Sequence, residues 1–421
     1  TYGPTGRWIR MTKALSNLRI CDFTGQLAGA GATRHLAAFG AEVIRIEDPV
    51  NEGRWDILRG NAPFVDERRG IDLGGAFNNH NVEKKAITLN LRTDTGKQLL
   101  TELIGKSDVV SENFSAGVMD RLGFGYEDLA RIKEDIIYVS NSGFGASGPY
   151  KPFKTWGPIV QAVSGLTFSS GLPDQPSAGW GYSYMDHTGG YYMCIAILAA
   201  IIHRRKTGNG QWVDLACTEA AATLTGPAIL DWSANGRPMR RDGQPHSNRN
   251  NWPRMAPHGI YRTDATDTWF ALACRDDEEW MKLRAVIDEP ALYDVKFDQL
   301  EGRILHQDDL DSYIEAWTQQ RQQQDLYQLL LAQGIPCSPV RTPEQRVDQD
   351  PNTEAWGLWP SVEHSLMGKV RVDGLPVHLS ETDWHLENGA GCLGEHNEEV
   401  FGEILGYSSQ QISSFKAEGV I

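Results

Sequence analysis

Between Leu18 and Glu47 the sequence reads as strand, helix and strand in turn: LRICDF, then GATRHLAAFG with a glycine stop at Gly40, then AEVIRIE. Two short apolar runs joined through a helix make a βαβ unit, and such a crossover sets its strands parallel. The alternation continues. KKAITLNL reads as a strand, TDTGKQLLTELIGK as a helix opened by a Thr or Asp cap, and SDVVSENF and DIIYVSNSGFG as two more strands. Repetition of this kind implies an α/β protein built on a doubly wound, mostly parallel sheet. Residues 54–81 are too long and too polar for a passive connection, so a binding loop is expected there.

A helix is expected from Asp186 to about Arg205, with basic residues in its last turn and Gly208 as its stop. Apolar side chains fall on nearly every face of it, which predicts burial on all sides. Residues 232–258 form a crossing rich in Pro, Gly, Asn and Arg. GIYRTDATDTWFALAC then predicts a hairpin, and DDEEWMKLRAVI and DDLDSYIEAWTQQRQQQDLYQLLLAQG predict helices, with QQRQQQ as the wet face of one of them. The expected division is a large domain over 11–228, a smaller α+β domain over 229–336, and a segment 337–421 that rejoins the first.

Composition excludes several functions. The 421 residues carry a net charge of -15, and the basic residues are scattered, which argues against nucleic-acid or anionic-membrane partners. Six cysteines without a CxxC pair suggest neither a zinc site nor a disulfide framework, and no metal is expected; reduced thiols fit a cytoplasmic protein. The longest apolar run, Cys194–Ile202, is far short of the roughly 20 residues that span a bilayer. Met11 reads as a natural initiator, and the ten residues before it are set aside.

The first βα turn, GQLAGAGAT, invites a dinucleotide reading, but Arg34 occupies the position of the third glycine. What is left is a turn whose small residues admit a ligand or a helix. No HExxH, GxSxG or GxxxxGK[ST] motif occurs. SYMDHTGGYYMCIAI places one charge, Asp186, between aromatic and apolar runs. Ionised carboxylates are costly to bury, so Asp186 is either an N-cap or a reacting group, and the residues alone favour the cap. His187 beside it reads as a hydrogen-bonded structural residue more readily than as a catalyst.

Seven blocks, among them LSNLRICDFTGQLAGAGATRHLAAFGAEVIRIE, SDVVSENFSAGVMDRLGFGYEDL, MDHTGGYYMCIAILAAIIHRRKTGNGQWVDLACTEA and GIPCSPVRTPEQ, resemble the class III (CaiB/BaiF) coenzyme A transferases, the family of formyl-CoA transferase, over nearly the whole chain. The resemblance implies a Rossmann-like large domain made from both chain ends, a small domain, and two chains interlocked as rings. That dimer is expected to be a homodimer, or a heteromer with a paralogue. CoA and acyl-CoA are implied as co-substrates. By the same resemblance Asp186 is the nucleophile, with an acyl anhydride and then an aspartyl-CoA thioester as intermediates. Gly143, Phe144 and Gly145 of SGFG match the turn that faces the substrate and supply candidate oxyanion donors. The family's CoA contacts map onto Lys84, Asn113, Phe114, Arg121 and Leu122, with Leu27 and Gly29 of the first turn on the same side. Ser142 stands in place of a lysine. Trp180, Tyr182, Tyr184, Tyr191 and Tyr192 are either water-excluding neighbours of Asp186 or ordinary core. Trp156 stands where the related α-methylacyl-CoA racemases carry a histidine, which lowers the racemase alternative. SNRNNWPRMAPHG replaces a glycine run, implying a substrate bulkier than oxalate with Arg254 or His258 as carboxylate anchors. A silent CoA-binding partner subunit is the remaining alternative, and the presence of Asp186 speaks against it.

Overall fold

The computed structural model describes residues 13–421 apart from 173, 174, 182, 243, 245, 246 and 251. Within it, the chain forms two compact units: one of residues up to Thr167 with Gly179–Leu230 and Thr353–Ile421, and one of Phe168–Ala178 with Asp231–Asn352.

The first unit is built on six strands: β1 (Arg19–Phe23), β2 (Glu42–Glu47), β3 (Lys85–Thr88), β4 (Val109–Glu112), β5 (Ile137–Ser142) and β6 (Gln211–Ala216). They lie in the order β3-β2-β1-β4-β5-β6 and every pairing is parallel. Cys21, for example, stands beside Ile44 on one side and Val110 on the other. The winding therefore reverses between β1 and β4, where open sheets of this kind leave a crevice at the strands' carboxyl ends.

Side chains alternate across the sheet, so each strand feeds two cores. Cys21, Ile44 and Val110 pack with Leu99, Leu100 and Leu103 of the helix Asp94–Gly105, and Val400, Phe401 and Ile412 of the C-terminal segment close this layer. Thr93 caps that helix by accepting the Gly96 N–H, as the sequence predicts. Ile20, Val43, Val109 and Val139 point the other way, against Leu36 of the helix Ala30–Ala38 and Met193, Ile197 and Ile201 of the helix Tyr184–Thr207. A fully buried Leu or Ile contributes roughly 1.5–3 kcal/mol, so these two layers carry the unit.

The helix Tyr184–Thr207 departs from expectation twice. It starts before Asp186, with Ser183 at the N-cap, although it ends as expected on Gly208, in the left-handed region at φ 80°. Nor is it buried all round. Met185, Gly189, Met193 and Ile197, four residues apart, form the buried stripe, while Tyr191 (48%), Ile195 (62%) and Ile202 (54%) are exposed. Among the described residues it is the one helix long and apolar enough to cross a membrane, a test that the core helix of a globular protein also passes.

Residues 54–81 are turns that end in a helix, Gly75–Asn81. A hairpin, β10 (Ser361–His364) with β11 (Gly368–Arg371), belongs to the same unit.

In the second unit β7 (His258–Arg262) and β8 (Trp269–Ala273) form the expected hairpin, and β9 (Cys337–Pro339) adds a third antiparallel strand. Helices Asp277–Ile287, Gln307–Thr318 and Gln323–Leu331 pack around Trp280, Phe270 and Phe297. The glutamine run is not the wet face of one helix. It spans a break: one helix ends at Thr318, and Gln322, in extended conformation, caps the next.

Candidate active site

The carboxyl ends of β1, β4 and β5 open into one cleft of about 430 Å³, lined by Gln26, Leu27 and Ala28 after β1, Asn113, Phe114 and Ser115 after β4, and Asn141, Ser142 and Gly143 at the end of β5. Trp55 and the stretch Phe153–Trp156 complete its rim, and Asp186, Val160 and Cys217 are also in its wall. Two segments 88 residues apart are tied across the crevice, where the Asn113 amide accepts the Gly25 N–H at 2.8 Å and donates to the Gly25 carbonyl at 3.0 Å.

Glycine lets Asp186 reach this wall. A Cβ at Gly190 would lie 2.9 Å from the Ala28 carbonyl, and one at Gly189 2.7 Å from the Cys217 sulfur. The TGG of the sequence is therefore the contact surface by which the helix seats against the turn after β1 and the wall behind β5. Asp186 stands one turn before Gly190, so the seating fixes where its carboxylate falls. A third glycine, Gly157, lies against the carboxylate itself, with its hypothetical Cβ 2.9 Å from Oδ2.

Opposing effects act on that carboxylate. Burial raises its pKa, while the Ser183 hydroxyl's hydrogen bond and the amino end of the helix favour its charge. Burial wins, and among the described residues no lysine or arginine forms an ion pair with it. The group is thus a partly desolvated acid facing the cleft and held in no ion pair among the described residues, the environment of a reacting carboxylate more than of a structural one. Cys217 donates to the Asn141 side-chain oxygen at 3.0 Å, and burial, with the Asp186 charge as the lesser cause, pushes its thiol up to about 12. That sulfur remains a neutral wall.

Of the residues singled out from sequence, Asp186, Gly143, Asn113, Phe114, Ser142, Leu27 and Trp156 meet in the cleft. Gly29 stands just behind it, where a Cβ would strike Thr24 and Asn113. Of the others described in the same unit, none lines the cleft. Phe144 packs on Tyr150 and Phe153. Arg121 lines a neighbouring hollow of about 460 Å³ with Lys151, Tyr126 and Trp212, which Ser142 also borders, and Leu122 packs on the core beneath. Lys84 does not line this cleft: it is 3% exposed and its ammonium donates to Asp22 and to the Ala30 and Asn81 oxygens. Tyr184 is exposed and packs on Trp180, while Tyr191 and Tyr192 lie on the exposed helix face rather than over Asp186. Tyr182 lies outside the described residues. Arg254 and His258 belong to the second unit, where Arg254 approaches Glu301 at 3.8 Å and His258 Nδ1 bonds the Asn248 carbonyl.

Sequence reasoning missed Gln26, Trp55, Asn141, Phe153, Lys154, Thr155 and Cys217. The polar length of residues 54–81 signals Trp55 in outline; for Asn141 and Cys217 the only cue is position at the end of β5 and after β6.

A site at the switch point of a parallel sheet, with a desolvated carboxylate facing backbone turns, fits acyl transfer. The chain belongs to CoA-transferase family III, whose pattern matches residues 15–397. It is 30% identical over 415 residues to the succinyl-CoA--D-citramalate CoA-transferase of Chloroflexus aurantiacus, covering 98% of this chain and 99% of that protein. It is 32% identical to the acetyl-CoA:oxalate CoA-transferase of Acetobacter aceti over 381 residues, or 90% and 92% of the two chains. The crystal structure of a CaiB/BaiF family protein from Brucella suis superposes with a TM-score of 0.84 at 29% identity, covering 93% of this chain and 99% of that one. The chain is accordingly an α/β enzyme of the CoA-transferase class, whose members use CoA thioesters as co-substrates.

Proposed function

We propose that this enzyme moves CoA from an acyl-CoA donor to a free carboxylic acid through covalent intermediates on Asp186. A carboxylate oxygen of Asp186 attacks the thioester carbonyl; the C–S bond breaks, CoA leaves as thiolate, and a mixed anhydride remains. The thiolate then attacks the aspartyl carbonyl, releasing the donor acid and leaving an aspartyl-CoA thioester. An incoming carboxylate attacks this thioester and the two steps run in reverse. One thioester is broken and one is made, so the exchange needs no nucleotide. The observation that carries the reading is the half-buried Asp186 carboxylate, in no ion pair among the described residues, in a cleft lined by aromatic rings. Trp55 and Phe114, with the exposed rings of Phe153 and Trp156 at the rim, narrow the access of water to an anhydride formed in the cleft. The Gly143 turn, within the same wall, supports its role toward a developing oxyanion. Arg121 and Lys151 in the neighbouring hollow offer charge to the phosphates of CoA.

The named relatives act on small carboxylic acids, which supports an acceptor of that class, with the aromatic rim favouring one bulkier than oxalate. The exposed apolar face of Tyr184–Thr207, with Tyr191, Ile195 and Ile202, supports a dimer that covers it. The direct test is incubation with a panel of acyl-CoAs, trapping with hydroxylamine, and mass spectrometry of the peptide holding Asp186. A hydroxamate there, with exchange into free acid, is the expected result. No modification with any active donor, or exchange of the α-proton in place of the acyl group, would overturn it.

A further inference from the structure

We propose that Asp56 is a positioning residue for the transfer reaction, holding the first wall of the Asp186 cleft in a left-handed turn through Gln26. The inference rests on the reading of Asp186 given above. Gln26 lines the cleft at φ 55°, a backbone conformation that residues bearing a Cβ adopt at a cost. Something must hold it there. Its N–H donates to Asp56 Oδ2 at 3.0 Å, and the same oxygen accepts Arg45 Nη2 at 2.8 Å. Asp56 Oδ1 accepts the Leu58 N–H at 3.0 Å.

The remaining backbone of the turn is tied from the same network. Arg45 Nη1 donates to the Thr24 carbonyl at 2.6 Å, and Asn113 holds both backbone groups of Gly25. Trp55, the residue before Asp56, lies directly on Gly25, where an added Cβ would stand 2.3 Å from the indole, and its ring is 4.9 Å from that of Phe114. Adjacent residues of one loop thus serve the two sides of the wall, Trp55 facing the cleft and Asp56 facing the core.

Asp56 is 0% exposed and Arg45 1%. A buried ion pair is a poor source of stability, because desolvation offsets the attraction; what it provides well is fixed geometry. The hydrogen-bond inventory makes the carboxylate specific. Three donors converge on its two oxygens, so an amide in its place must turn an NH₂ toward one of them.

The test compares acyl exchange by the full-length protein with Asp56→Asn, Asp56→Glu, Gln26→Gly and Gln26→Gly combined with Asp56→Asn. Asp56→Glu keeps the charge beside Arg45 and serves if the amide variant does not fold. We expect each Asp56 variant to lower kcat/KM at least tenfold. Glycine adopts the turn unaided, so in the Gln26→Gly background the same Asp56→Asn change should cost less than threefold. Asp56 variants within twofold of wild type, or an Asp56→Asn factor undiminished in the glycine background, would overturn the proposal. Wild-type protein is first checked for the hydroxylamine adduct: its absence defeats the functional reading and this proposal with it, whereas its presence beside unaffected variants defeats the Asp56 role alone.

Discussion

Gly157 presents no side chain to Asp186, and that emptiness is what keeps the carboxylate accessible: a Cβ there would stand 2.9 Å from Oδ2 and 3.2 Å from Oδ1. Gly157 opens the short helix Gly157–Val163 directly before Pro158, where a Cβ would also crowd the proline ring. Gly157→Ala should therefore cost about 1 kcal/mol of stability while reducing kcat at least tenfold. Differential scanning fluorimetry beside steady-state exchange kinetics checks both halves.

Asp186 gives a prediction with a sign. Burial raises its folded pKa above the unfolded value, so it destabilises the fold when ionised, and the penalty disappears as pH falls through the raised value. Asp186→Asn should abolish the hydroxylamine adduct and melt at or above the wild-type temperature at neutral pH, with the difference vanishing in acid. The acid limb of kcat/KM in the wild type should lie above the ordinary carboxylate range near 4. A limb at or below that range would show that another group reacts.

Glu112 sits behind the Asn113–Phe114 turn, accepting the Phe114 N–H at 2.7 Å and the Tyr138 hydroxyl at 2.9 Å, and burial raises its carboxyl to about 7. The fold thus holds a proton that the unfolded chain has lost between about pH 4.5 and 7, and stability falls as pH rises across that window. Glu112→Gln retains an acceptor for Phe114 and removes the titration. Urea unfolding should show a flatter pH profile for this variant over the window, with a difference of up to about 3 kcal/mol by pH 8.

At Gly190 the obstacle is backbone, the Ala28 carbonyl, and it cannot step aside as a side-chain tip would. Gly190→Ala should cost about 1–3 kcal/mol of stability through overpacking and lower kcat/KM by displacing Asp186 from its seat. Gly105→Ala, with open space around its Cβ, is the control expected to change neither.

The sheet was legible in the sequence because short stretches carrying Ile, Val and Phe alternate with helix text, as in RICDF and EVIRIE, even though Asp22, Arg45 and Glu47 interrupt the apolar letters. Asp186 was legible for the opposite reason, as a charge where apolar residues rule. What escaped is what sequence distance conceals. Asp56 and Gln26 are 30 residues apart and meet only because β1 and β2 are neighbours. The position of Lys84 away from the cleft was hidden because a motif reveals residue type but not whether its charge is already engaged inside, here by Asp22 at 3.2 Å. The helix Tyr184–Thr207 misled because an apolar residue on an outward face is indistinguishable, letter by letter, from one facing the core.

The reversal of winding between β1 and β4 has a bearing on when during its life the protein becomes reactive. The Gly25 backbone finds its Asn113 clasp only once a segment 88 residues downstream has entered the sheet, and the carboxylate arrives later still in the chain. On the reading proposed above, a nascent or half-unfolded molecule has no assembled cleft in which Asp186 could take up an acyl group, so the proposed chemistry is tied to the completed sheet.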